Sequence, residues 1–300
     1  MKKVICRIFG GVGNQLFCYA AARRLALINQ AELVIDDVSG FLHDHTYQRY
    51  SQLEHFNITC RKATPTERLE PFSRARRYCR RKWNQRLPFN HRTFLTQEGM
   101  DFDPRLLSFK LQDNIYLEGY WQSEEYFKDI ELTIRQDLKI KSSIDNINLK
   151  IAEKIQANTS VAIHIRFFDE PNTQSINAHN ASYNYYNQAI KYMEDKIYPP
   201  PHYFIFSDRP DAIHSHISLP SHRNTIIYHN KGDNNAYKDL WLLQQCQHFI
   251  IANSTFSWWG AWLAENMDKC IIAPSFEIKH NNSLAAWGFK GLLPQKWIRL

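Results

Sequence analysis

Groups able to hold an anion fall at three places in the 300-residue chain. The first is Asn253-Ser254-Thr255, where a short apolar run, Phe249 to Ala252, stops and an apolar helix-like pattern resumes from Phe256 to Leu263. A strand feeding a hydroxyl-rich turn and a helix can hold a phosphate. The helix start offers N–H groups and a positive dipole end, and Ser254, Thr255 and Ser257 add hydroxyl donors. The same pattern also suits an ordinary strand–helix turn in which Ser254 or Thr255 only caps the helix. The second place is Gly10-Gly11-Val12-Gly13-Asn14-Gln15, between a strand-like Val4 to Phe9 and a helix-like Leu16 to Ile28. Its glycines let backbone approach a ligand closely, and Asn14 and Gln15 set two amides at the helix start. It lacks a full G-x-G-x-x-G, so it fits a dinucleotide fingerprint poorly, and a tight turn without ligand is the alternative. The third is the strand-like Val161 to Arg166, with Val161, Ile163 and Ile165 on one face and His164 and Arg166 on the other; Asp169 and Glu170 follow. Ligands of α/β proteins sit at the carboxyl ends of strands, and a guanidinium there can grip a phosphate bidentately. An ion pair with Asp169 is the structural alternative for Arg166.

Two further motifs compete for a role. Asp101-Phe102-Asp103 is a literal D-x-D, the pair that metal-dependent sugar transfer uses to hold a divalent cation against a diphosphate. No apolar strand leads into it and Pro104 follows, so it reads as a loop. Residues 74–86 carry Arg74, Arg76, Arg77, Arg80, Arg81, Lys82 and Arg86, with Tyr78 and Trp83 interleaved. On a helix Arg74, Arg77 and Arg81 would share one face. A solvated surface is the default for such a stretch; anionic lipid is the next reading, ahead of nucleic acid, because no nucleic-acid module accompanies it. His43 and His45 lack metal-ligand spacing.

These residues need elements to position them. Strand-like runs at residues 33–35, 115–121, 203–206, 225–228 and 269–273, and helix-like runs at 126–138, 183–193 and 239–245, complete the pattern. From residue 160 onward strands alternate with helices, which predicts a parallel sheet covered on both faces. The polar stretch Ser142–Asn148 places a domain boundary, giving one α/β domain over 1–148 and a second over 149–300.

Composition agrees with a folded chain: 44% hydrophobic against 22% charged residues excludes disorder. A formal charge of +7 favours anionic partners. No uninterrupted apolar stretch is long enough to span a bilayer, and the sequence after Met1-Lys2-Lys3 does not read as a signal peptide. The six cysteines form no CxxC pair and read as reduced core thiols of a cytoplasmic protein.

Four stretches together resemble the bacterial α-1,2-fucosyltransferases of glycosyltransferase family 11. Gly10-Gly11-Val12-Gly13-Asn14-Gln15-Leu16-Phe17 is similar to that family's opening G-G-x-G-N-Q-x-F. His164-Ile165-Arg166 with Asp169 is similar to its H-x-R-R-x-D, Phe206-Ser207-Asp208 to its F-S-D, and Ile251 through Trp262 to its longest signature. The stretches occur in the family's order. One departure stands out: Phe167 and Phe168 occupy the places of a second Arg and a Gly, which bears on the diphosphate contacts and on linkage and acceptor.

The resemblance implies a GT-B-like α/β fold, two Rossmann-like domains facing across a cleft. It also implies a GDP-fucose donor, no metal, and inverting transfer to a galactose-type acceptor on an oligosaccharide or lipid-linked glycan, as in O-antigen synthesis. Arg166 and the turn Ser254, Thr255, Phe256 and Ser257 would then stabilise the leaving diphosphate, with Gly11, Gly13, Asn14 and Gln15 closing over the donor. Guanine recognition needs a carboxylate, with Asp239 the first candidate and Asp208 the second. Asp169 is the nearest match for the general base, with Glu170 and His164 as rivals. An Asp beside Arg166 would have a lowered pKa, which argues against it as base and for a role in orienting the guanidinium. Competing readings are a different GDP-sugar or linkage on the same fold, a metal-dependent enzyme built on Asp101 and Asp103, and a non-enzymatic basic protein that binds RNA or a membrane through residues 74–86.

Overall fold

A computed structural model describes the chain apart from residues 46, 169–178, 216, 220, 231 and 278–286, and gives no side-chain placement for residues 215, 221 and 233. The chain divides into two units: Met1–Lys141 with Lys290–Leu292, and Ser142–Phe289 with Leu293–Leu300. The boundary falls earlier than the polar stretch suggested, for a local reason. Asp145 accepts from the backbone N–H of Ile147 and Asn148 and so starts a helix, α4 (Asn146–Gln156), which the expected 148/149 boundary would cut. That helix bonds into the second unit, where Asn148 Nδ2 donates to Asn230 Oδ1 at 3.1 Å.

In the first unit the elements are β1 (Lys3–Arg7), α1 (Val12–Ile28), β2 (Glu32–Asp36), β3 (Arg61–Lys62), α2 (Ser73–Asn84), β4 (Phe94–Thr96), β5 (Ile115–Glu118) and α3 (Glu131–Asp137). Its sheet is parallel throughout, in the order β3-β2-β1-β5-β4. Helix α1 is buried almost all round, from Val12 to Ala26, which explains why it is rich in Ala and Leu and shows no polar stripe. Where a single helix was expected over 126–138, two 3₁₀ turns precede a short α3.

The second unit adds β6 (Ser160–Ile165), α5 (Tyr183–Lys196), β7 (His202–Ser207), β8 (Asn224–Ile226), α6 (Ala236–Gln245), β9 (His248–Ile250), α7 (Thr255–Leu263), β10 (Ile271–Ala273) and β11 (Ile298–Arg299). All its strand pairs are parallel, in the order β11-β10-β9-β6-β7-β8. Counted from β6, that is the doubly wound order 3-2-1-4-5-6, which reverses direction between β6 and β9. Val161, Ile163 and Ile165 bury one face of β6 against Tyr185, Tyr186, Ala189 and Met193 of α5. On α7, Trp258, Trp259 and Trp262 pack ring on ring, and Trp258 also meets Trp297 at 5.4 Å between centroids. No disulfide joins the cysteines, and Cys79 is exposed, unlike the core thiols expected from the sequence.

Candidate functional site

In a doubly wound sheet the chain leaves the strands on either side of the reversal in opposite directions, so a crevice opens at their carboxyl ends. Here those strands are β6 and β9, and they deliver His164, Arg166 and the Asn253–Ser257 turn, which the sequence singled out. Two tyrosines of α5 fix the strand ends from behind. Tyr185 donates from its hydroxyl to the carbonyls of Ile251 (2.7 Å) and Ile272 (3.1 Å), and Tyr186 to that of His164 (3.0 Å). No sequence signal marks either, since a tyrosine on an apolar helix face reads as core.

The turn after β9 is capped as the sequence predicts. Ser254 Oγ accepts from Phe256 N at 3.3 Å, and Ser257 Oγ donates to the Ser254 carbonyl at 3.3 Å. The first turn of α7 carries no acidic side chain. Asn253, 2% exposed, donates to the His179 carbonyl at 2.8 Å, while its Oδ1 is buried without a partner among the described residues.

His164 faces α7. Its Nδ1 lies 2.9 Å from Ser257 Oγ and its ring 5.5 Å from that of Phe256. Burial, reinforced by the nearby Arg166 charge, pushes the imidazole down to about 3. His164 is therefore neutral at working pH and too weak a base to take a proton from an acceptor hydroxyl, which removes it from the rivals for that role.

Arg166 lies just beyond β6, and its partner is Asp208, at the end of β7, with Nη1 3.0 Å from Oδ2. The other oxygen of Asp208 accepts from Phe167 N at 3.1 Å. One carboxylate thus braces both the guanidinium and the backbone that carries it. Phe167 is buried, and the Phe168 ring lies 5.6 Å from the Arg166 guanidinium carbon, in cation–π range. Asp169 and Glu170 lie outside the described residues.

Asp239 sits in the first turn of α6. Burial raises its carboxyl to about 7, although Asn230 Nδ2 donates to it at 2.7 Å and works the other way. Asn230 continues into an amide network with Asn148, to which His229 Nε2 is also bonded at 3.0 Å.

In the first unit the glycine turn follows β1. Gly10 has φ +77°, and a Cβ there would lie 2.9 Å from Asn14 Nδ2 and 3.2 Å from the Tyr120 ring. Gly11 caps α1 and opens onto empty space. Asn14 Oδ1 accepts from Gln122 Nε2 at 2.7 Å. Two expected donor contacts differ. Gly13 is buried inside the first turn of α1, not in the loop. Gln15 is 1% exposed, and its amide is engaged by the carbonyls of Gly10 and Tyr50 and by the N–H of Gln52, so it ties the turn down.

The same sheet edge holds a carboxylate that the sequence left unremarked. Glu118, 7% exposed at the end of β5, pairs with Arg7 and Arg81, and its Oε2 is buried without a partner among the described residues. A lone acid after a strand carries no spacing signal. Asp101 and Asp103 are engaged elsewhere: Asp101 Oδ1 accepts from Lys290 N at 2.9 Å, and Asp103 pairs with Arg105 at 2.6 Å. Burial works against the Asp103 charge, yet the Arg105 contacts hold the carboxyl below its usual value. Among the described residues no group of three or more His, Cys, Asp or Glu could hold a metal ion.

Comparison with known proteins matches the chain to Glycosyl transferase family 11 over residues 6–288. The Escherichia coli α-1,2-colitosyltransferase is 28% identical over 100% of this chain and 99% of its own length. The Escherichia coli O-antigen biosynthesis glycosyltransferase WbnK is 30% identical over 97% of this chain and 98% of its own. Among solved structures, the α-1,6-fucosyltransferase NodZ soaked with GDP-fucose superposes with a TM-score of 0.56 at 17% identity, covering 88% of this chain and 92% of that one. That likeness concerns the fold and agrees with a GT-B-type α/β architecture. With a switch point that gathers a guanidinium and a capped helix start, and a family match that spans both units, this chain is a member of glycosyltransferase family 11.

Proposed function

We propose that the chain transfers L-fucose, with inversion and without a metal, from GDP-β-L-fucose to the 2-hydroxyl of a galactose-type residue in a surface polysaccharide such as O-antigen. The observation that carries this reading is that β6 and β9, the strands on either side of the sheet's reversal, lead into Arg166 and the start of α7. A departing GDP needs a fixed cation and N–H donors aimed at its diphosphate, and Arg166 and the start of α7 are the proposed source of both. Asp239 serves as the guanine acceptor. Asp169 is the proposed base and Glu170 its alternative; near-normal turnover by Asp169→Asn removes Asp169 from that role. The reaction takes place in the cytoplasm on an oligosaccharide or lipid-linked acceptor, and nucleic acid has no part in it.

The test is GDP release from GDP-fucose with a panel of β-galactosides, with and without EDTA. Release that depends on acceptor and survives the chelator supports the proposal; loss of activity on chelation returns Asp101 and Asp103 to consideration. A second reading has a specific motive. A colitosyltransferase is among the relatives, and colitose is the 3-deoxy form of fucose. Here a phenyl ring, Phe168, stands beside the donor-gripping Arg166. Faster turnover of GDP-colitose than of GDP-fucose under identical conditions would favour that donor.

A further inference from the structure

Helix α2 divides its basic residues between two directions. Arg77, 5% exposed, and Arg81, tied to Glu118, face the protein, together with Asn84, whose Oδ1 accepts from the N–H groups of Thr93 and Phe94. Arg74, Arg77 and Arg81, which helical spacing would set on one face, are thus divided between exposed Arg74 and inward-facing Arg77 and Arg81. The outward arc is a different set: Arg74, Arg76, Arg80, Lys82 and Arg86 are all exposed, and none has a carboxylate partner among the described residues. Three aromatic side chains stand among them, Phe72 78% exposed, Tyr78 59% and Trp83 64%. No acidic residue occurs from Pro71 to Gln97.

From this arrangement we infer that the outward face of α2 is a docking surface for an anionic lipid bilayer. Five unpaired cations leave a local positive field that only an anionic partner lowers, and each is worth about 1 kcal/mol, roughly five-fold in affinity, at an anionic membrane surface. Tyr and Trp prefer the headgroup level, where a ring can lie in the apolar margin while its polar atom stays wet. The helix is too polar to sink into the hydrocarbon, so it lies on the surface, held by charge and anchored by rings. Aromatic rings that stand fully in solvent suit a flat anionic surface better than a strand of nucleic acid, which is bound in a groove where bases are enclosed. The docking helix also touches the business end of its sheet. Arg81 pairs with Glu118, Glu118 with Arg7, and Tyr120, two residues beyond Glu118, stacks on Phe9 beside the glycine turn at 4.4 Å. A lipid surface engaged by α2 is therefore next to the turn that carries Asn14. The inference rests on α2 alone and stands whichever sugar is transferred.

The test is co-sedimentation of the purified full-length chain with vesicles of phosphatidylcholine alone and of phosphatidylcholine with roughly 30% phosphatidylglycerol. Binding is expected only to the anionic vesicles and to fall steeply with added salt. Replacing Arg74, Arg80, Lys82 and Arg86 together by Gln should weaken it by roughly five-fold per cation. Donor binding by that variant serves as the fold control, since all four side chains are exposed and outside the candidate site. Trp83→Gln should weaken binding further in a way that salt does not mimic. Equal binding to both vesicle types, binding indifferent to salt, or an unaffected quadruple variant would overturn the inference. So would a single-stranded RNA oligonucleotide that displaces the protein from the vesicles at equal anionic charge.

Discussion

His164 offers a measurement in which burial, and little else, sets the outcome. The free imidazole titrates at 6.5, and burial beside Ser257, with Arg166 near, brings the folded group down to about 3. Between those two values the unfolded chain binds a proton that the native chain refuses. Native stability is therefore fully present above pH 6.5 and is lost as pH falls toward 3, by about 1.4 kcal/mol per pH unit. At about pH 5 the loss from this one residue is roughly 2 kcal/mol, against almost none at about pH 7.5. His164→Asn keeps an amide N–H near the Nδ1 position and so keeps a bond to Ser257, but it cannot titrate. The assay is urea unfolding of both proteins at the two pH values. Asp239 acts in the opposite sense: its folded value of about 7 lies above the usual 3.8, so its contribution is lost as pH rises through that interval. The wild-type profile alone therefore mixes two slopes of opposite sign, and the difference between wild type and variant isolates His164. The variant should gain about 2 kcal/mol relative to wild type on going from pH 7.5 to pH 5. A difference that does not change with pH would refute the claim that burial keeps this imidazole neutral, and would restore it as a candidate base.

Three other expectations follow from the same geometry. Arg166→Lys should lower kcat/KM about ten- to hundred-fold, and Arg166→Ala about a hundred- to thousand-fold, in the GDP-release assay, because a point charge replaces a planar fork and then nothing does. The fold should persist, since the Arg166–Asp208 pair is partly exposed and contributes under about 1 kcal/mol. If Asp239 accepts from guanine as a carboxylate, GDP affinity measured by calorimetry should fall as pH drops below about 7, and Asp239→Asn should bind weakly at every pH; a flat wild-type profile would count against that role. Gly10→Ala should destabilise the chain by about 1–2 kcal/mol in thermal unfolding, because φ +77° disfavours a side chain and the new methyl would press on Asn14.

The sequence by itself determined the parts whose signal is local. The apolar run before Asn253, the glycines after Val4–Phe9, and the alternation along Val161–Arg166 each follow from periodicity and turn chemistry, and the strands and helices stand within a few residues of where those patterns put them. The family was legible for the same reason, since its signatures are contiguous. Tertiary structure decided what lies across elements. Asp208 engages Arg166 because β7 pairs with β6 in parallel register, bringing Ser207 opposite Ile165, and no spacing rule links residues 166 and 208. Gln15 looked like a ligand amide because it opens a helix, yet the Gly10 carbonyl of its own turn and two backbone groups of a distant loop, at Tyr50 and Gln52, claim it. The basic helix was readable as charge, but which arginines point outward depended on Glu118, thirty-seven residues further on, drawing Arg81 inward. Local propensity fixes where a side chain sits along its element; the direction it faces, and whether its charge is satisfied, is set by partners that only the packed sheet brings near.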